Sequence, residues 1–363
     1  QGEAVSVLPD GPWRAIVRRV SRRPGAALAT ALSVLLLVVV TASAATVSSL
    51  QAAVDADQQA LQVTARLGTV ERRAGAIETE VLRFGRLLEG ISTATTVALS
   101  QTQPEDARPW LVLDPTTAPD DLVDSAVDGA TVSLRTPVFR SAPSADPLAL
   151  QPVFRRLTRL DGTLRRTLLR SAPGGGVTWD LAEARRIHLS GDTPVRRLRV
   201  ALTDGTELVF PGQAEAAIED PREASWYQRS ADQPFPHWEP PTLDAMGRVV
   251  VVVGRSIYAE DDPRFLGVAS AEIVVDRTLA KLLAEHDADL LHQWVVDGSG
   301  RVIGSDEGPG KLQPAPVDGL DELLDDHLTT WREESDGIVV TAPLPQLGWA
   351  LVARYGASPR DRR

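Results

Sequence analysis

The sequence predicts an α+β protein with one transmembrane helix, a long helix after it and two antiparallel-sheet modules. Three observations carry this. Residues 24–54 contain no charge, and are closed by Arg14, Arg18, Arg19, Arg22 and Arg23 on one side and by Asp55 and Asp57 on the other. An apolar stripe follows that alternates steps of four and three residues. From Val195 the texture changes to short runs rich in Val, Leu and Ile, separated by Asp-Gly and Gly-rich turns.

The apolar centre of the first segment, residues 26–45, is close to the ~20 residues that a helix needs to cross a hydrocarbon core of ~30 Å. The arginines lie only before it. The positive-inside bias therefore makes residues 1–24 cytoplasmic, residues 25–46 the single membrane crossing and residues 47–363 extracytoplasmic, in the plasma or inner membrane of a bacterium. Ala42-Ser43-Ala44 offers a second reading, a cleaved signal peptide. The run is longer than an h-region of ~7–15 residues, and the helical pattern continues past Ala45. The chain starts at Gln1 and its one methionine is Met246, which leads us to expect a cytoplasmic output domain before Gln1.

The stripe runs through Ala56, Ala60, Val63, Leu67, Val70, Ala74, Ile77, Val81, Phe84, Leu88 and Ile91. Glu and Arg fill the positions between, so residues 47–101 read as one long helix with one apolar side. The stripe either packs on its own domain or pairs with a second copy to make a homodimer. Small residues near the membrane suit close helix approach, and the larger ones from Leu67 onward suit a domain surface.

Residues 102–290 are expected to form the membrane-distal module. Residues 102–150, rich in Pro, Asp, Thr and Ala, read as loops with short elements, and residues 150–170 as one basic amphipathic helix with leucines at 157, 160, 164 and 168. Residues 172–176 read as a linker turn, since no Gly-Lys-Ser/Thr follows the glycines. Asp204-Gly205 sits between two alternating runs and signals a hairpin. Residues 249–254 and 265–275 read as buried strands, and 277–285 as a helix. A reduced repetition of this order, residues 291–356, follows as a membrane-proximal module, with a turn at 297–300, a helix at 320–331 and two closing strands. Residues 357–363 form a polar tail.

Composition narrows the function. A net charge of −11 makes nucleic acid a poor partner. Zero cysteines remove disulfides, thiolate metal sites and a thiol nucleophile. The five histidines, His188, His237, His286, His292 and His327, include no pair at the i, i+4 separation of a helical zinc site, and each reads as a surface or capping residue. Asp261-Asp262 and Asp325-Asp326 are adjacent carboxylates that diverge in either regular structure, so neither forms an acid/base pair by itself. No cofactor motif is present, and no catalysis is expected of these residues.

Four passages together resemble a double Cache sensor domain. They are residues 220–227 (Asp-Pro-Arg-Glu-Ala-Ser-Trp-Tyr), residues 238–244 (Trp-Glu-Pro-Pro-Thr-Leu-Asp), the valines 249–253, and residues 265–273 (Phe-Leu-Gly-Val-Ala-Ser-Ala-Glu-Ile). The resemblance spans about residues 47–355. It implies two PAS-like modules outside a bacterial membrane, with an unidentified small ligand held in the distal one. It also implies contact by Trp226 and Tyr227, which match the family pattern. Glu219, Ala224, Thr242 and Glu272 replace the aromatic, Arg, Tyr and Asp of the amino-acid-binding members. An alanine cannot replace a bidentate arginine. Arg222 lies two positions away and Arg229 five. Physically, Trp226 and Tyr227 suit an aromatic wall or a core lock, and Glu272 suits a cationic group. Residues 1–24 resemble the juxtamembrane stretch of bacterial serine/threonine protein kinases, which implies a kinase as the output. The resulting reading is a single-pass receptor with an extracytoplasmic small-ligand sensor. Its alternatives are an anchored envelope protein that uses the fold for assembly, and a sensor for a cyclase or histidine kinase.

Overall fold

The computed structural model describes residues 24–104, 106–112, 114–173, 180–213, 219–260, 262–284, 287, 289–325, 328–335 and 337–356. Residues 1–65 and 66–363 form two units. In the first, the described residues belong to the N-terminal part of helix α1 (Pro24–Ser100). This part contains a stretch long and apolar enough to cross a membrane, with none of it buried in protein. Leu36, Val40 and Leu61 are 65%, 55% and 70% exposed.

In the second unit the stripe is buried. Val70, Ile77, Val81, Phe84, Leu88 and Ile91 are at most 1% exposed. From Val70 onward the stripe therefore packs on its own domain, as the first of the two readings had it. Residues 66–78 of α1 contact the C-terminal module: Arg66 stacks 5.0 Å over the Tyr355 ring, and Gln346 N donates to Glu78 Oε1 at 2.8 Å. Farther along, Ser92 Oγ and Thr96 Oγ1 donate to the carbonyls of Ser256 and Tyr258 in the other module.

That larger module is built on an eight-stranded sheet in the order β1-β4-β6-β5-β11-β10-β8, with β9 also on β10. Its strands are β1 (Trp110–Leu111), β4 (Val138–Ser141), β5 (Val195–Leu202), β6 (Thr206–Phe210), β8 (His237–Trp238), β9 (Thr242–Leu243), β10 (Val249–Tyr258) and β11 (Phe265–Val274). The Asp204-Gly205 hairpin joins β5 to β6 as expected; Gly205 has φ +87°, which a side chain would strain. A small sheet of β2 (Val123–Ser125), β3 (Ala130–Ser133) and β7 (Gly212–Gln213) lies apart from the main one. The short elements expected among the loops of residues 102–150 include four strands of two to four residues.

The basic segment is two helices, α2 (Pro147–Leu157) and α3 (Asp161–Ser171), split by a 3-10 turn. Asp146 caps α2 with Pro147 at its first turn, while Pro152 lies inside and weakens its ladder. α4 (Leu181–Leu189) carries an Asp180 cap. α5 (Ser225–Ala231) lies on β10, and α6 (Asp276–Leu283) leads to the next module.

The C-terminal module is a six-stranded antiparallel sheet, β14-β13-β12-β17-β16-β15. It comprises β12 (Leu290–Asp297), β13 (Val302–Ser305), β14 (Gly308–Pro309), β15 (Thr330–Glu334), β16 (Gly337–Leu344) and β17 (Trp349–Gly356). Helix α7 (Leu320–Leu324) covers one face and stops well short of the expected Trp331. Thr330 and Trp331 instead start β15, whose alternating burial is that of a half-solvated edge.

Candidate functional site

The distal sheet has two unlike faces. Strand alternation sends Phe139, Leu198, Val200, Leu208, Ala269 and Ile273 to one face, and each is at most 1% exposed. The other face carries charge. Arg140 is the register partner of Glu207, Glu207 of Ala201, and Glu272 of Arg197. Arg140 and Glu207 are both 6% exposed by side chain, which is rare for ions inside strands and requires counter-charges. Glu207 lies between two guanidinium groups, Arg140 Nη1 at 3.8 Å and Arg199 Nη1 at 3.9 Å. Arg199 Nη2 lies 3.9 Å from Glu272 Oε2. These separations give Coulomb attraction without a direct hydrogen bond.

A cavity of about 840 Å³ stands over this floor. Pro143 and Ser144 line it on one side, and Glu219, Asp220, Pro221, Glu223 and Ala224 on the other. The second wall is a 3-10 turn, Pro221–Glu223, capped by Asp220, which accepts from Arg222 N at 3.0 Å. The same carboxylate clamps the Arg222 guanidinium at 2.6 Å and is held below its usual range by that hydrogen bond. Glu219 and Glu223 are exposed at the rim.

Behind the turn, α5 presses close to β10. A Cβ on Gly254 would overlap Ser230 Oγ, so glycine is required for this approach. Trp226 and Tyr227 project from α5 into an apolar cluster with Ala201 and Val268. Tyr227 meets the edges of Trp226 and Phe265 at 6.0 Å each, and burial pushes its phenol up to about 12. Arg199 stacks 5.8 Å over the Trp226 ring.

Trp226, Tyr227, Arg222, Thr242 and Glu272 do not line the cavity, whereas Glu219 and Ala224, two of the positions that depart from the amino-acid-binding pattern, do. Trp226 and Tyr227 lock its wall to the sheet, Arg222 braces the Asp220 turn, and Glu272 faces the cation of Arg199. The cationic group that Glu272 was expected to receive is thus the protein's own arginine. Thr242 lies exposed on β9, paired with Val250. Arg229 is engaged with Glu239 at 3.8 Å. The floor residues Arg140, Arg199 and Glu207 were not singled out from sequence. Arg140 and Glu207 are each the lone charge of their strand, a signal that Arg199 lacks beside Arg196 and Arg197.

Arg196 extends the charged face below the cavity. A β-bulge opposite Glu272 and Ile273 makes Arg196 the extra residue, and its guanidinium donates to Glu272 Oε1 at 3.3 Å and Asp244 Oδ2 at 2.8 Å. It also donates to the Asp128 carbonyl at 2.9 Å. Asp128 in turn meets His188, which is 0% exposed: Nε2 lies 2.8 Å from Asp128 Oδ2, and Nδ1 2.9 Å from Thr193 Oγ1. His188, expected as a surface or capping residue, is a buried network residue whose ring nitrogens meet the side chains of Thr193 and Asp128. Burial pushes the Asp128 carboxyl up, but His188, Ser125 and Arg196 outweigh it and hold it low. His286, His327, Asp261 and Asp326 lie outside the described residues, as do residues 174–176 of the glycine turn.

No family model matches the chain, and no curated protein matches it. Solved structures do resemble it in fold. The sensory domain of the Campylobacter jejuni chemoreceptor Tlp3 with isoleucine bound is 12% identical, with 81% of this chain and 94% of that one covered and a TM-score of 0.43. The ligand-binding domain of the Pseudomonas aeruginosa PAO1 amino acid chemoreceptor PctC, in complex with GABA, is 17% identical over 45% of this chain and 74% of that one, with a TM-score of 0.35. The ligand-binding domain of Mlp24 with asparagine is 17% identical over 48% and 75%, with a TM-score of 0.34.

Proposed function

We propose that this chain is an extracytoplasmic sensor, anchored by the apolar part of α1, which binds a small polar ligand in the distal sheet-face cavity. The observation that carries the reading is the cluster of buried Arg140 and Glu207 with half-buried Arg199 on the cavity floor. Three ions inside a sheet destabilise a fold relative to apolar residues of the same volume, and a binding role is a reason to keep them. The floor presents the guanidinium groups of Arg199 and of Arg140, whose Nη2 also donates to the Gln213 carbonyl at 3.2 Å, and the rim supplies Glu219 and Glu223. A ligand with a carboxylate at its inner end and a cationic group at its outer end meets both.

In this reading residues before α1 are cytoplasmic, and ligand binding shifts α1 by favouring one of two arrangements of the helix. The output is a serine/threonine kinase domain ahead of Gln1, on the juxtamembrane resemblance alone; an upstream reading frame without kinase motifs would remove that part. The residues present are assigned no catalysis.

The test is a thermal-shift series on the full chain in lipid nanodiscs. The probes are asparagine, γ-aminobutyrate and isoleucine, with putrescine and succinate as singly signed controls. A probe at a hundred times its Kd should raise Tm by roughly 5 °C, and Arg199→Ala should abolish the rise. A shift that survives both Arg199→Ala and Glu207→Gln, or no shift with any probe from a cooperatively melting protein, would overturn the assignment.

A further inference from the structure

A second cavity, of about 870 Å³, opens below the distal sheet, where α1, α6 and β14 converge on the loop before β5. Gly75, Ala76 and Thr79 of α1 form one wall, and Val274, Leu282 and Pro309 face it. The hollow exists because α1 presents small residues here: a Cβ placed on Gly75 would meet nothing within 4 Å. Its volume is that of small-molecule sites, about 300–1,000 Å³. The lining comes from separate elements that converge, so an occupant sits between them and not across a flat face.

One edge is polar, formed by Thr193, Arg196 and Arg248, and Glu80, Asp192 and Lys281 also line the chamber, with Glu80 paired to Arg83 at 2.7 Å and Asp192 accepting from Ser190 Oγ at 2.6 Å. The charges of Arg196 and Arg248 are already met inside the protein. Arg196 is shared among Asp244, Glu272 and the Asp128 carbonyl, and Arg248 Nη2 lies 2.7 Å from Asp244 Oδ2. The backbone N–H of Arg248 also donates to Asp244, and these bonds hold Asp244 low against the burial that raises it. A charged ligand would find no uncompensated counter-charge at the Arg196 and Arg248 edge, whereas an apolar body gains from Ala76, Val127, Val274, Leu282 and Pro309.

We propose that this chamber is a second ligand site, for an uncharged and largely apolar small molecule whose one polar group lies at the Thr193 and Arg248 edge. The sheet-face cavity, with its ionic floor, takes a different chemistry, so the two sites are independent in what they select.

The experiment is photolabelling of the full chain in nanodiscs with 3-trifluoromethyl-3-phenyldiazirine, an uncharged aromatic carbene precursor, followed by peptide mass spectrometry. Adducts are expected on peptides containing Thr79, Thr193 or Leu282. Excess naphthalene should reduce them at least fivefold, and so should Gly75→Phe, which fills the hollow. Adducts within residues 26–45 come from lipid and should respond to neither. Ala76→Leu serves as a second filling variant should Gly75→Phe lose its cooperative melt. Labelling confined to residues 26–45, or chamber adducts unchanged by naphthalene or by the filling variants, would overturn the proposal. Neither result depends on the sheet-face ligand.

Discussion

The two modules use the same kind of antiparallel sheet, yet differ in what the helix-bearing face carries beyond the helix. In the distal module α5 seals only an apolar patch around Ala201 and Val268, and the rest of that face carries Arg140, Glu207, Arg199 and Glu272. In the proximal module the face beneath α7 carries Trp294, Val296, Val339, Ala350 and Val352, which close on Leu320 and Leu323. The proximal face is built to pack, and its ions lie at one end of it: Glu334 of the edge strand β15 pairs with Arg332 on the same strand and with Arg354 of β17. A sheet and a helix can thus seal an apolar layer or hold a charged floor under a cavity, and the choice rests on a few side chains per strand.

The comparison breaks most severely if the proximal face tolerates an ion. Val352→Glu, at a position 0% exposed, should cost about 3–5 kcal/mol, because Arg354, two residues along the same face, is already paired with Glu334. Urea denaturation measures it, and a cost under about 1 kcal/mol would mean that the two faces are not different in kind.

Next in size is the distal floor itself. Glu207→Ala removes the shared carboxylate and should cost ~3 kcal/mol by leaving Arg140 and Arg199 facing each other. The paired replacement Arg140→Met with Glu207→Leu should recover most of that stability while losing any ligand-induced Tm rise. Loss of stability comparable to the single variant would show that the ions serve the fold.

Proton linkage sharpens the contrast further. Asp128, Asp220 and Asp244 in the distal module are held below their usual value, against Asp297 in the proximal one. Each stabilises the fold above its unfolded pKa near 3.8, and that stabilisation is lost as pH falls through the lowered folded value. Hydrogen exchange below about pH 4 should therefore open distal peptides before residues 290–356. Asp161 runs the other way. Burial pushes it up to about 7, so the proton it keeps stabilises the fold at pH 4 and stability declines as pH rises towards 7. Asp161→Asn should flatten that decline in a melting series from pH 4 to pH 8.

The smallest effect is expected outside the modules. Leu61→Ser, at a position 70% exposed, should change stability by less than about 0.5 kcal/mol. A larger change that grows with protein concentration would favour the reading in which this end of the stripe pairs with a second copy.

Much of the architecture was legible in residue order. The three-four spacing located the buried stripe from Val70 to Ile91, and the Asp-Gly pair located the β5 and β6 hairpin, because both signals are local. β15 was hidden: Thr330 to Glu334 are polar on an edge strand, so hydrophobic alternation is faint and the preceding helix looked longer. The site was hidden for a different reason. Arg140, Arg199 and Glu207 lie on three strands, and only sheet order brings them together. The bulge that turns Arg196 onto Glu272, and the fold that seats His188 on Asp128, leave no mark in spacing. Trp226 and Tyr227 pack behind the cavity wall, in the apolar cluster with Ala201 and Val268.

The most direct measurement is hydrogen exchange of the full chain in nanodiscs, with and without whichever probe raises Tm. The account predicts that ligand slows exchange in β4, β5, β6 and residues 219–231, with the largest change on both sides of Arg140, Arg199 and Glu207. Protection confined to residues 290–356, or an unchanged distal sheet with ligand bound, would contradict it.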